Sequence, residues 1–292
     1  MTATLIDGKA IALQIREEVK TKVKAYTDKG HRQPRLDVLM VGDHPPSAIY
    51  VRNKQKACAA AGIASELHHL AGDVSEQELC HLIDNLNENP EIDGILPQLP
   101  LPKHIDKLKV IHRVRFSKDV DGLSAENQGL LEWNLPGLYP CTAAGVIELL
   151  KRSNISPRGK VAAVLGRSLL VGAPTATMLC HGGATTINMH SETPNTEELC
   201  RLADIIIVAT GVHHLVKKEW VKPGAVVIDV GIHRVDGKIQ GDVDFDNVKE
   251  VASQMTPVPG GVGPMTIAML LVNCLKAYEQ HLFGEIKTAN LD

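Results

Sequence analysis

Apolar residues recur at every fourth position near the start of the chain, at Ile11, Ile15, Val19 and Val23, with Arg, Glu and Lys between them. That period predicts an amphipathic helix over 9–28, stopped at Gly30. The pattern then shortens into apolar runs bounded by turn residues. Leu36–Val41 is expected as a strand, and Ser47, after the proline-bearing turn Gly42–Pro46, is expected to cap a helix that runs to Gly62. A strand over 63–70 follows, then a helix over 76–87 opened by a Ser75/Glu78 capping box. Asp93–Leu96 reads as a short buried strand, cut off by the prolines of 97–102.

Gly122–Pro140 is polar, broken by Gly-Leu and Pro-Gly and without clear period, so a domain boundary is placed near its end. Beyond it the alternation restarts: strand Lys160–Leu165, a glycine turn, helix 173–181, strand Ala184–Met189, helix 196–203, and strands Asp204–Ala209 and Ala225–Val230. A last helix, 264–282, is long enough to pack back on the first domain. Strand–helix alternation predicts an α/β chain with parallel sheets, its second part laid out as a Rossmann-like dinucleotide-binding half.

Composition narrows the picture. With 31 Lys+Arg against 34 Asp+Glu, the net charge is −3, which gives no chain-wide attraction to nucleic acid. Only 2 Trp, 4 Tyr and 3 Phe occur, so the core must be aliphatic, as in parallel sheets covered by helices. The six cysteines contain no CxxC pair, and reduced thiols with a cytoplasmic address are expected. Asp7 stands where a signal peptide needs apolar residues, and no run approaches the roughly 18 apolar residues of a membrane span, so no membrane partner is expected.

Candidate chemistry begins at Gly166-Arg-Ser-Leu-Leu-Val-Gly-Ala-Pro174. A strand that stops at glycine and feeds a helix leaves backbone N–H groups free for a pyrophosphate, although a tight structural turn gives the same pattern. The next strand ends in His190-Ser191 where an NAD-binding fold usually carries an acid, and Arg167 is available for a 2′-phosphate. NADP is therefore favoured over NAD. In Ser47–Lys54, Tyr50 and Lys54 are spaced i, i+4 on one helix face, either as a proton-sharing pair or as a surface pair. Tyr-x-x-x-Lys also marks short-chain dehydrogenases, but there the glycine turn precedes the tyrosine, the reverse of this order. Gln98 follows a strand end, and Asp119 and Asp121 lie on a short loop, where sites of open α/β sheets gather and where local turn roles are also common. Thr256–Thr266 mixes proline and glycine so that a flat ligand could approach its backbone. His68-His69 and His213-His214 are expected to diverge, Asp242 and Asp244 to be solvated, and no metal site is expected.

Taken together, Ser47–Lys54, Asp93–Pro100, Lys118–Gly122, Pro140-Cys-Thr142, Gly166–Pro174, His190-Ser191, Lys222–Ile232 and Pro257–Thr266 resemble the bifunctional methylenetetrahydrofolate dehydrogenase/cyclohydrolase family over essentially the whole chain. The resemblance implies an N-terminal α/β catalytic domain of residues 1–140, completed by a C-terminal helix over 264–292. It implies a Rossmann-like NADP domain of 141–263, with a cleft between the two. It also implies NADP-dependent oxidation of 5,10-methylenetetrahydrofolate and hydrolysis of the methenyl product to 10-formyltetrahydrofolate, a one-carbon interconversion that serves purine biosynthesis, in a homodimer. By resemblance Lys54 is the central acid/base of the hydrolysis, Gln98 orients it, Tyr50 stacks on the folate and Asp121 anchors the pterin, with Ser47, Pro259, Gly260 and Gly261 bordering the substrate. Thr142, Gly166, Arg167, Ser168, Ser191 and Ile232 line the cofactor site. Pro97 and Leu169-Leu170 depart from the family pattern without removing a functional side chain. An unrelated two-domain NADP dehydrogenase would explain residues 160–232 but not Tyr50, Lys54, Gln98 and Asp121 together, and the retained Lys54 speaks against a nucleotide sensor that kept the fold and lost its chemistry.

Overall fold

In the computed structural model, which describes residues 2–284, the chain divides into two compact units. Among the described residues, one holds those up to Leu13 and Thr142–Thr266; the other holds Gln14–Cys141 and residues 267–284. The first elements are strand β1 (Thr4–Leu5), helix α1 (Gly8–Thr27), β2 (Arg35–Val41), α2 (Pro45–Ala61), β3 (Ala64–Leu70), α3 (Glu76–Glu88) and β4 (Gly94–Pro97). Helices α4 (Lys107–Arg113), α5 (Ala125–Glu132) and α6 (Cys141–Arg152) follow. Next come β5 (Val161–Leu165), α7 (Gly172–His181), β6 (Thr185–Met189), α8 (Thr196–Leu202), β7 (Ile205–Val208) and β8 (Val226–Asp229). A hairpin of β9 (His233–Val235) and β10 (Lys238–Gln240), then α9 (Phe245–Val248), β11 (Gln254–Met255) and α10 (Val262–Phe283), complete the chain. Of the helix expected over 264–292, residues 285–292 lie outside the described residues.

The unit of Gln14–Cys141 is built on a three-stranded parallel sheet in the order β3-β2-β4. Leu39 and Val41 of β2 pack with Leu79, Ile83 and Leu86 of α3, so the apolar period of that helix buries one sheet face. The expected Ser75/Glu78 capping box is present. Because β2, the first strand of this sheet in sequence, lies in the centre, the chain passes from it to β3 on one side and then crosses to β4 on the other, and the carboxyl ends of β2 and β4 flank a topological switch point. The cap of α2 differs from expectation. His44 occupies the N-cap and its Nδ1 accepts from the Ser47 backbone N–H, while Pro45 and Pro46 begin the helix, where a missing N–H costs nothing.

The other unit holds a six-stranded parallel sheet in the order β6-β5-β7-β8-β11-β1. From β5 onward this is the doubly wound order 2-1-3-4-5, with its switch point between β5 and β7. Ala163, Leu165, Ile206, Val208 and Val227 form an aliphatic core, as the scarcity of rings predicts. The start of the chain differs from the expected division, because β1 pairs with β11 as an edge strand of this sheet. Two residues of strand are too short to show in a hydrophobic pattern; a neighbour supplies their stability. No described helix is long and apolar enough to cross a membrane.

Candidate active site

Lys54 stands on α2, the helix that leaves β2, and Gln98 directly follows β4, so both lie at the switch point of the smaller sheet. The Gln98 backbone N–H donates to Leu39 O at 2.8 Å, which holds the residue against the end of β2. Its side chain is used at both ends: Nε2 donates to Leu99 O at 2.6 Å, and Oε1 accepts from Lys54 Nζ at 2.9 Å. The amide is thereby oriented with its carbonyl toward the lysine. Tyr50, one helical turn before Lys54, is 45% exposed, a high value for one of so few rings. Ser47 is buried, with its hydroxyl 2.9 Å from His44 Nδ1.

Asp121 reaches the same place through a parallel bridge of Ile95 with Asp119, which carries the chain two residues further alongside the end of β4. Asp119 itself is scaffold. Its buried carboxylate accepts from the backbone N–H groups of Gly122 and Ser124 and from Asn127 Nδ2; burial pushes its pKa up, and those hydrogen bonds oppose the rise. Lys118 is also structural: its ammonium donates to Leu86 O and Asn89 O, and burial pushes its pKa down to about 8. Asp121 is half-buried. The buried Cys141 thiol senses both candidate groups. Burial pushes its pKa well up, the Asp121 carboxylate raises it further, and the Lys54 charge works the other way.

Two further side chains hold this region, and one of them, Asn273, lies outside every segment read as a motif. Cys141 donates its S–H to Val120 O at 3.2 Å. Asn273, buried on α10, donates to Val120 O at 2.9 Å and to Tyr139 O at 2.8 Å, which fastens the loop that ends in Asp121. A lone amide in the apolar run Met269–Leu275 was the available signal, since a buried Asn needs partners.

In the larger sheet the chain turns at Gly166 with φ 121°, where a Cβ would stand 2.3 Å from Ala209 O. At Gly172 a Cβ would stand 2.0 Å from Gly166 O. The turn therefore closes on bare backbone, and α7 begins without a side-chain cap. Arg167 and Ser168 are exposed there, and Ser191, exposed beyond β6, ends the neighbouring strand. An open helix N-terminus beside a guanidinium with no partner among the described residues, at a switch point, fits a dinucleotide phosphate. Ile232, 52% exposed, follows β8. Thr142 Oγ1 lies 3.1 Å from Thr266 Oγ1. Pro259, Gly260 and Gly261 form the loop between β11 and α10 in this same unit; Gly260 has φ 109°, and a Cβ on Gly261 would meet Pro257 O at 2.7 Å.

Beside this row of strand ends the acids and histidines differ from expectation. Asp242 is fully buried rather than solvated: Oδ2 accepts from the N–H groups of Thr210 and Gly211 and from Thr210 Oγ1, and Oδ1 pairs with His233 Nε2 at 2.7 Å. His213 and His214 stack at 3.8 Å instead of diverging, because His214 takes a left-handed backbone conformation, φ 50°. Asp229, also buried, accepts from the N–H groups of Gly231, Asp242 and Val243. Burial pushes its pKa up to about 6, the three N–H donors pull it down, and Asp242 pushes it up again. An unfolded Asp titrates near 3.9. The folded protein therefore binds the extra proton between about 4 and about 6, and Asp229 is expected to lower stability progressively as pH rises through that interval. A ¹³C titration of its carboxyl is expected to show a midpoint near 6; a midpoint at the ordinary aspartate value would contradict this.

Asp37, Glu66 and His68 also bring ligand atoms within 4.8 Å of one another. Arg35 already supplies the cation there, donating to Asp37 at 2.7 and 2.9 Å and to Glu66 at 2.6 Å.

Fold and geometry define a class: an α/β protein with a lysine-centred unit and a dinucleotide-binding unit. Residues 6–121 match the tetrahydrofolate dehydrogenase/cyclohydrolase catalytic domain, and residues 140–282 match the NAD(P)-binding domain of the same family. The bifunctional protein FolD of Aquifex aeolicus is 49% identical over 289 residues, covering 99% of both chains. Among solved structures, the bifunctional enzyme FolD of Campylobacter jejuni superposes with a TM-score of 0.93 at 47% identity, over 95% of this chain and 99% of that one. The FolD of Trypanosoma brucei, complexed with NADP cofactor and inhibitor, gives 0.92 at 38% identity, over 97% and 99%. The chain belongs to the tetrahydrofolate dehydrogenase/cyclohydrolase family.

Proposed function

We propose that this protein oxidises 5,10-methylenetetrahydrofolate with NADP and hydrolyses the methenyl product to 10-formyltetrahydrofolate, supplying a one-carbon unit of the kind purine biosynthesis consumes. The observation that carries the reading is the Lys54–Gln98 pair at 2.9 Å on a switch point, in a chain of this family. Tyr50 offers an exposed ring for a flat folate, and Asp121 offers a carboxylate to the amino-pyrimidinone edge of the pterin, with Ser47 fixing the start of the same helix. Pro259, Gly260 and Gly261 border the substrate on their bare backbone.

The NADP site is assigned to Thr142, Gly166, Arg167, Ser168, Ser191 and Ile232. When bound to these residues, NADP would supply the hydride acceptor for the methylene bridge. The protein's share in that step is alignment, since no proton need leave. In the second step water adds to the methenyl cation, and Lys54 takes the proton that water sheds, its amine oriented by Gln98 Oε1. Such general-base assistance contributes roughly 10²–10⁴-fold.

Incubation with methylenetetrahydrofolate and NADP is expected to raise absorbance for NADPH and for the methenyl product, which then decays to the formyl compound. Tight cofactor binding without NADPH, or turnover with another substrate alone, would overturn the reading. Arg167→Gln is expected to weaken NADP binding about 10- to 100-fold, the worth of one charged hydrogen bond, and to leave NAD binding little changed. Equal loss for both cofactors would move Arg167 away from the 2′-phosphate.

The same proposal includes a homodimer through the cofactor units and a cytoplasmic address. Strand β6 ends its sheet with β5 as its partner among the described residues, a free edge that a second copy can cover. All six cysteines are free thiols, in keeping with a reducing compartment. Light scattering is expected to give twice the chain mass; a monomer at working concentration would refute the dimer.

A further inference from the structure

Helix α2 carries two different faces. Ser47, Tyr50 and Lys54 lie on one, and Lys54 meets Gln98 beyond β4. Ala48, Val51, Arg52 and Gln55 lie on another, since positions three and four apart share a face. In the sheet order β3-β2-β4 this second face looks toward the β3 edge. There it closes, with Met40 of β2 and Leu67 and His69 of β3, over a pocket of about 320 Å³. The pocket thus sits across the catalytic helix from the lysine and shares no side chain with it.

Its chemistry is uneven. Met40 and Val51 are buried and, with Leu67, make an apolar floor. At the mouth stands Arg52, exposed and with no hydrogen bond or ion pair among the described residues. Asp43, the single acid of the lining, is 95% exposed and lies 3.3 Å from His69 Nε2, which pairs with it at the rim. Gln55 adds a further donor beside the guanidinium, one turn along the helix. A planar fork of N–H groups without a partner, above an apolar floor, matches a carboxylate on a compact hydrocarbon body. The volume lies at the small end of ligand pockets, which excludes a second folate or a dinucleotide.

We propose that the pocket between α2 and the β3 edge is a second binding site, for a small branched aliphatic carboxylate whose charge is held by Arg52 and whose body rests on Met40, Val51 and Leu67. Neither the lysine chemistry nor the cofactor unit calls for such a site.

The test is a titration of the ¹⁵N-labelled full-length protein with sodium isovalerate at constant ionic strength, with sodium chloride as control. Saturable shifts are expected at amides of 40–55 and 67–69, with a roughly millimolar dissociation constant. In Arg52→Gln the affinity is expected to fall at least tenfold while the dehydrogenase rate is unchanged, which shows the variant is folded. Ala48→Leu, which fills the space and keeps the arginine, is expected to weaken binding as well. Shifts that do not saturate, that appear equally with chloride, that survive Arg52→Gln, or that centre on Gln98 and Asp121 would each overturn the proposal.

Discussion

Replacing Lys54 with methionine is expected to lower hydrolysis of supplied methenyltetrahydrofolate by roughly 10²–10⁴-fold, the usual worth of a positioned general base. The dehydrogenase rate should stay within about tenfold of the wild type, because hydride transfer relies on proximity and alignment rather than on a proton acceptor. Methionine keeps the length of the lysine stem on α2 and removes only the donor to Gln98 Oε1. The substitution therefore separates chemistry from packing. Both rates are read by absorbance, one from NADPH and one from loss of the methenyl chromophore. Full hydrolysis in the variant would remove Lys54 from its assigned role, and equal loss of both rates would make it a folate-binding residue instead.

Asp93→Ala is expected to destabilise the lysine-centred unit by about 3–5 kcal/mol, the range for removing one partner of a buried ion pair. Its carboxylate is fully buried and serves four donors: Arg32 Nη1 at 2.6 Å and Nη2 at 2.7 Å, the Arg35 backbone N–H at 2.8 Å and His281 Nδ1 at 2.8 Å. It ties the entry of β2, the entry of β4 and the end of α10 together. In the variant the Arg32 guanidinium, itself largely covered, keeps its charge and loses its counter-ion. Arg32 also stacks over Tyr278 at 5.3 Å, and the Tyr278 hydroxyl donates to Arg32 O, so the loss spreads into α10. Burial alone would raise the Asp93 pKa, but the hydrogen bonds of Arg32, His281 and Arg35 outweigh it and hold the group below its ordinary value. The stabilisation is therefore complete above about pH 4, where an unfolded Asp is ionised, and is lost as pH falls through the folded pKa. Amide exchange in β2, β4 and α10 reads this unit apart from the other, where a single unfolding midpoint would mix the two. An unchanged exchange pattern at neutral pH would refute the prediction, and Asp93→Asn, which retains acceptors without the charge, should fall between.

Much of the fold was legible because its elements obey short-range rules. The four-residue period of Ile11–Val23, the Ser75/Glu78 box and the apolar runs of β2, β5, β7 and β8 act within a few residues. Strand β1 was not legible, since two residues carry no period and its partner β11 lies at the other end of the chain. The His213–His214 stack depends on a left-handed residue that local sequence does not announce.

By itself, the sequence determined the α/β class, the aliphatic core, the glycine turn at Gly166 and the candidate side chains Tyr50, Lys54, Gln98 and Asp121. Each depends on residue type and near spacing, which the backbone reads locally. Only the tertiary structure decided that Gln98 orients toward Lys54 and that Asn273 fastens the Asp121 loop from α10. Burial of Asp229 and Asp242, and the second face of α2 over its own pocket, were also decided there. These are contacts between residues far apart in the chain, and both their geometry and the desolvation that shifts a carboxyl pKa exist only once the strands are placed side by side.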